Sequence, residues 1–226
     1  MDFETLGARL ARVRGEIAER QARGGWSHAV RVVAVTKTFG PDAVRAAVVA
    51  GLDAVGENRV QEALAKQDQC AGVPVEWHLI GSLQRNKVRQ VAGRFALIHS
   101  LDRLELAGEF QRRGAGAAQD VLVQVNCSGE PQKGGVEPAG LARLLDELRP
   151  FPALRVRGLM TMAALDAGEP ERRRTFAELR ALKDAACAAG HELTELSMGM
   201  SDDFGAAVEE GATMVRIGSA LFGARD

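Results

Sequence analysis

Arg31-Val32-Val33-Ala34-Val35-Thr36-Lys37, followed at once by Thr38-Phe39-Gly40-Pro41, is the stretch on which the reading of this chain turns. A short run of β-branched and apolar residues closed by Gly and Pro predicts a strand buried on both faces, as in a parallel sheet. Pro41 then stands where a helix tolerates proline, in its first turn. The same alternation recurs to the end of the chain. Strands are predicted at 30–36, 54–57, 76–80, 97–101, 121–126, 156–162, 195–198 and 214–217. Helices are predicted at 41–50, 59–69, 86–92, 103–113, 138–148, 170–189 and 204–210. Ahead of them Phe3, Leu6, Leu10, Val13 and Ile17 recur at spacings of three and four, the mark of an amphipathic helix. About eight strand–helix cycles predict an α/β fold, a (β/α)8 TIM-type barrel with an additional N-terminal helix. A doubly wound dinucleotide fold is disfavoured, because no G-x-G-x-x-G follows the first strand.

The length of 226 residues predicts a single domain over 1–226. An apolar content of 46% with 26% charged residues is ordinary for a soluble globular protein. The net charge of −1 and the 4% aromatic content predict neither a polyanion-binding surface nor a base-stacking platform, so nucleic acid is not expected as a partner. Cys70, Cys127 and Cys187 fit neither a disulfide framework nor zinc-ligand spacing. The acidic start Met1-Asp2-Phe3-Glu4 lacks an apolar signal core, and no stretch is long enough to span a membrane. Together these predict a cytoplasmic location and no metal.

Lys37 closes its strand at the C-terminal end, where α/β folds place their chemistry. Partial burial there lowers a lysine pKa and frees its lone pair, which makes Lys37 a candidate Schiff-base former. A lysine that merely extends its amine into solvent is the competing reading. The last two predicted strands bear on the choice. Leu196-Ser197-Met198-Gly199-Met200-Ser201-Asp202-Asp203 and Met214-Val215-Arg216-Ile217-Gly218-Ser219 each run from a strand into small residues. Ser201-Asp202-Asp203 reads as a helix cap, and the Gly218-Ser219 turn leaves backbone N–H groups uncovered. Such turns after strands seven and eight make a phosphate cradle. A barrel closes between strands eight and one, so the lysine and the cradle share one mouth. An aldehyde carrying a phosphate arm, pyridoxal phosphate, fits both.

Arg216 lies between Val215 and Ile217, and alternation aims it into the barrel. A guanidinium at the pyridine nitrogen keeps that nitrogen unprotonated and the ring a poor electron sink. The competing reading makes Arg216 a phosphate ligand.

Ala34-Val35-Thr36-Lys37, Gly56-Glu57-Asn58-Arg59-Val60-Gln61-Glu62, Trp77 through Lys87, Leu196 through Asp202 and Val215 through Gly223 together resemble the pyridoxal phosphate homeostasis proteins. The resemblance covers nearly the whole chain. It implies a barrel similar to the N-terminal domain of alanine racemase, with Lys37 as the covalent site of a pyridoxal 5'-phosphate aldimine. It also implies a role in vitamin B6 and amino-acid homeostasis without established turnover. A two-base racemase needs a tyrosine opposite the lysine, and this sequence has no tyrosine.

The remaining candidates carry two readings each. His78 either touches the cofactor or is a satisfied core histidine. Asn58 either bonds the ring oxygen or caps the helix that begins at Arg59. Met198 and Met200 pack against the ring or fill the core. The Gly-rich loop 128–136 is a mobile flap or a plain connection. Ser82 through Lys87 with Arg89 gives a basic patch that is a solvated face or a partner surface. The expected protein is therefore a monomeric barrel holding pyridoxal phosphate through Lys37, Asn58, His78, Met198, Ser201, Arg216, Gly218 and Ser219, and passing it to apo-enzymes as potential partners. A low-activity racemase or lyase, or a cofactor-free aldolase or isomerase using Lys37, are the rivals.

Overall fold

Eight parallel strands close on themselves in sequence order, each paired with its chain neighbours and the last with the first. The computed structural model describes residues 5–113, 118–130 and 132–223; Phe3, Pro131 and Asp226 lie outside them. The strands are β1 Arg31–Val35, β2 Ala54–Glu57, β3 Glu76–Leu79, β4 Leu97–Leu101, β5 Gln119–Gln124, β6 Leu154–Met160, β7 Glu195–Met200 and β8 Met214–Ile217. The helices are α1 Leu6–Gly24, α2 Pro41–Val49, α3 Val60–Gln69, α4 Val88–Val91, α5 Leu104–Arg113, α6 Leu141–Leu148, α7 Glu169–Ala188, α8 Phe204–Glu209 and α9 Ser219–Phe222. This is the expected TIM-type barrel with a helix ahead of it.

Strand alternation divides the core in two. Val33, Ala54, Leu97, Leu122, Met160 and Met214 point inward and fill the barrel. Val32, Ala34, Val55, Ile98, Leu196 and Val215 point outward and join the helices in a larger core. Because both faces are covered, the strands read as near-continuous apolar runs. The predicted stripe of α1 is buried at Leu6, Leu10, Val13 and Ile17. It lies over α8 and α9, and Trp26 just beyond it donates from Nε1 to Glu209 O at 2.8 Å.

Several boundaries move, each for a local reason. β5 and β6 begin two residues earlier than their apolar runs, because Arg155 and Asp120 pair at 2.6 Å and extend the ladder below the barrel floor. β7 runs on to Met200 through an irregularity between Ser197 and Met200. The helix predicted at 86–92 is a 3-10 turn, Arg85–Lys87, leading into α4, and Pro138–Gly140 likewise precedes α6. α3 begins at Val60, with Arg59 at the capping position and no side-chain cap. The capping role considered for Asn58 is therefore corrected.

Candidate functional site

All strand C-termini open on one face, the mouth. Lys37 stands there two residues beyond the end of β1, half-buried. The residue after it, Thr38, has φ +69°, a left-handed conformation that is an outlier for a β-branched side chain. Strain of that kind persists only where surrounding contacts over-determine it. Those contacts are present on the other side of Lys37. Thr36 is fully buried; its Oγ1 donates to Glu57 Oε1 at 2.6 Å, and Lys66 Nζ donates to Thr36 O at 2.8 Å and to Glu57 Oε1 at 2.5 Å. A buried ion pair between β2 and α3 thus clamps the backbone that presents Lys37. Phe39 packs on Phe222 of α9 with ring centroids 5.2 Å apart, joining this turn to the last helix.

β8 pairs with β1 so that Ala34 stands opposite Ile217, which sets Gly218 level with Val35. A Cβ on Gly218 would lie 3.6 Å from Val35 Cβ. The N–H groups of Gly218 and Ala220 converge on one oxygen, Ser201 Oγ, at 3.1 and 3.2 Å. Two amides aimed at a single oxygen position are what a phosphate oxygen requires, so the backbone suits that group. Ser219 is exposed in the same turn. Gly199, at φ +90°, lets β7 press against α8, where a Cβ would meet Phe204 Cα at 2.8 Å. Within the Ser201-Asp202-Asp203 cap read from the sequence, Asp203 takes the N-cap position of α8, but its side chain makes no capping bond to the helix. Its carboxylate accepts from Met200 N at 2.5 Å, and burial raises its pKa.

Arg216 points inward and is 3% exposed. Its Nη1 donates to Ser197 Oγ at 2.6 Å and its Nη2 to Thr161 O at 2.9 Å. Burial pushes its pKa down to about 10, with Asp203 opposing, so it remains a cation at neutral pH. No charged partner lies among these hydrogen bonds, and the guanidinium has donors to spare for an acceptor at the mouth.

The other sequence candidates separate. Asn58 is exposed at the end of β2, and the backbone of Gly81 approaches it so closely that a Cβ there would stand 2.1 Å from Asn58 O. His78 is level with Val35 through Gly56, one inward layer beneath Lys37, and its Nδ1 lies 3.0 Å from His99 Nε2. That is the place of a core histidine. Met198 lies in the outer core with Leu196, between sheet and helices, which corrects the reading that faced it toward a ring. Met200 instead lines a small cavity of about 120 Å³ at the mouth with Lys133, Met162, Ala163, Leu165 and Asp202. Alternation alone puts Met198 on the helix side with Leu196; the irregularity in β7 is what turns Met200 away from that side and level with Arg216.

The described residues 133–136 of the 128–136 loop are hydrogen-bonded to the barrel. Val136 N donates to Gln124 O at 2.9 Å, Gln124 Nε2 donates to Gly134 O at 2.6 Å, and Lys133 Nζ donates to Ala163 O at 2.6 Å. Ser197, Thr161, His99 and the Thr36–Glu57–Lys66 cluster were not singled out in the sequence. Alternation from Leu97 would have found His99, while a charge closing an apolar strand marked Glu57.

A (β/α)8 barrel with a lysine after β1, an inward arginine on β8 and an amide pair beside Ser201 defines the class. The family model described as the alanine racemase N-terminal domain matches residues 10–226. The chain is 44% identical over 223 residues to the pyridoxal phosphate homeostasis protein of Aquifex aeolicus, covering 96% of this chain and 97% of that relative. It is 42% identical over 228 residues to the protein of the same name from Escherichia coli K12, covering 96% and 95%. The solved structure of PipY from Synechococcus elongatus with PLP bound aligns with a TM-score of 0.85 at 36% identity, over 96% of this chain and 100% of that one. Alanine racemase from Corynebacterium glutamicum, at 18% identity, shares the fold with a TM-score of 0.77 over 62% of its own length. The chain belongs to the pyridoxal phosphate homeostasis protein family.

Proposed function

We propose that this protein binds pyridoxal 5'-phosphate through Lys37 and serves as a reservoir or carrier in vitamin B6 and amino-acid homeostasis. The observation that carries the reading is the junction of β1 and β8. There the Lys37 turn lies beside two amides converging on one oxygen site, above a buried arginine. The group itself supplies an aldehyde that condenses with an amine and a ring able to draw electrons from it. Lys37 provides the amine, held by the clamp on Thr36. The amides of Gly218 and Ala220, which meet Ser201 Oγ here, would turn to the phosphate when it binds, with Ser201 and Ser219 beside it. Arg216 would face the ring nitrogen and, being unable to give up its proton there, would keep that nitrogen unprotonated. Asn58 borders the mouth and Met200 its apolar wall; His78 lies one layer below in the barrel, and Met198 takes no part.

The same arginine argues against fast carbanion chemistry, and the 226 residues contain no tyrosine to serve as a second base. The carrier reading is preferred to a racemase or lyase on those grounds. It treats 1–226 as a single cofactor-binding domain acting as a cytoplasmic monomer with apo-enzymes as recipients. No helix among the described residues is long and apolar enough to cross a membrane. An absorbance spectrum of the protein mixed with pyridoxal phosphate, before and after borohydride, tests the binding. A yellow band that bleaches, with pyridoxyl mapped to Lys37, is expected; pyridoxyl confined to Lys87 or Lys133 would overturn the site. Rapid turnover of D- or L-amino acids would overturn the carrier reading.

A further inference from the structure

Beneath the mouth, side chains from four strands form one line through the barrel. Arg216 Nη1 donates to Ser197 Oγ at 2.6 Å. Ser197 Oγ lies 2.9 Å from His99 Nδ1, and His99 Nε2 lies 3.0 Å from His78 Nδ1. His78 Nε2 is buried without a hydrogen-bond partner among the described residues, and faces Glu76 Oε2 at 3.6 Å. Glu76 stands at the barrel floor and accepts from Arg31 Nη1 at 2.7 Å; Arg31 also holds Asp53 at 2.9 Å. His78, His99 and Ser197 are fully buried.

Donor chemistry fixes the direction of this line. A guanidinium only donates, so Ser197 Oγ accepts, and the hydroxyl retains one proton of its own to give. Giving it to His99 Nδ1 leaves the His99 proton on Nε2, aimed at His78 Nδ1. His78 then carries its proton on Nε2, aimed at the Glu76 carboxylate. The reverse direction strands the serine proton and sets a bare His78 nitrogen against a carboxylate, two acceptors face to face in a buried site. The charges at the two ends, guanidinium above and carboxylate below, favour the first direction alone.

We infer that His78 and His99, both as Nε2–H tautomers, are positioning residues that hold Ser197 as the acceptor of Arg216 and so tie the arginine at the mouth to Glu76 at the floor. Burial pushes the pKa of His78 down and that of His99 well below the ordinary 6.5, with His78 and Arg216 adding to the second shift. Both rings accordingly stay uncharged at neutral pH. Arg216 keeps a second anchor on Thr161 O, so loss of the line frees one edge of the guanidinium rather than releasing it. The effect at the cofactor ring rests on the proposed function; the tautomers do not.

The test is a two-bond proton–nitrogen correlation of histidine side chains at pH 7 on cofactor-free protein, with His78→Gln and His99→Gln for assignment. Both rings are expected with the proton on Nε2. Ser197→Ala should move the His99 Nδ1 resonance toward that of an unbonded ring nitrogen, and Ser197→Thr, which keeps the hydroxyl, should restore it. Glu76→Gln, at the surface, should shift the His78 Nε2–H signal and leave the fold unchanged. Either ring found as Nδ1–H or as a cation, or a His99 Nδ1 signal indifferent to Ser197→Ala, overturns the inference; a packing role alone would move none of these signals. With the cofactor added, Ser197→Ala should weaken binding about tenfold and Ser197→Thr should not. Equal affinities would remove the line's role at the ring. An unmutated protein that never turns yellow would instead remove the proposed function and leave the tautomers standing.

Discussion

Lys37 and Thr38 show at the scale of single residues how a site is set apart from a plain strand end. Lys37→Ala removes a half-buried amine from a turn, not a packed layer, so Tm should stay within about 2 °C of the parent. Borohydride should then fix no pyridoxyl at the β1 turn, while some cofactor still binds through the amides near Ser201. Unchanged labelling in this variant would move the covalent site elsewhere. Thr38 makes the opposite wager. Its φ of +69° costs about 1–3 kcal/mol in a β-branched residue, and glycine returns about 0.5–1 kcal/mol of that as unfolded-chain entropy. Thr38→Gly should therefore raise stability by about 1 kcal/mol, or Tm by about 2–4 °C, in thermal denaturation. A lower Tm would mean that the Thr38 side chain itself holds the turn.

Between β2 and α3 the clamp on Thr36 is an element-scale device, because no one residue of it suffices. Glu57 is fully buried and Lys66 is 7% exposed, so removing either partner leaves the other as an uncompensated buried charge. Lys66→Met should cost about 3–5 kcal/mol in urea unfolding, and Glu57→Leu a similar amount. The double variant should cost clearly less than the two combined, because the pair then leaves no orphan. Additive losses would show that the two side chains do not act together. The single variants should also lower the yield of pyridoxyl on Lys37, since the backbone that presents it is no longer held. The β7 irregularity is the second such device. It turns Met200 to the mouth while alternation keeps Met198 on the helices, so Met200→Ala should weaken cofactor binding more than Met198→Leu does, as read by titration of the absorbance band.

For the molecule as a whole, the floor of the barrel carries its own pH dependence. His78 and Arg31 beside it hold the Glu76 carboxyl down from the ordinary 4.5 to about 2. The unfolded chain then binds this proton more readily than the folded one. The stabilisation is fully present above about pH 4.5 and fades as the pH falls toward 2. Glu76→Gln should abolish this part of the acid response, so its stability curve should run flatter than the parent's between those values. Parallel curves would show that the carboxylate contributes nothing there. The side chain of Glu76 is half exposed, so the difference will be modest and smaller still in high salt.

The sequence by itself determined the number and order of the strands, the barrel, the amphipathic helix ahead of it, and the places of Lys37, Arg216 and the Gly218 turn. Those features rest on local chemistry: apolar runs of strand length, Gly and Pro at their ends, and strict alternation along β8. Only the tertiary structure decided what those residues meet. The ladder of β5 and β6 reaches past its apolar run because two charges pair across it at the floor. An irregularity in β7 turns Met200 from the face where alternation would leave it with Met198, and periodicity cannot foresee a broken period. His78 and His99 lie 21 residues apart in the chain and Ser197 and His99 98 apart, yet each pair is within hydrogen-bond distance. Closure of the barrel brings these side chains together: strand order is written in the local sequence, but contact across the interior depends on every strand's register at once.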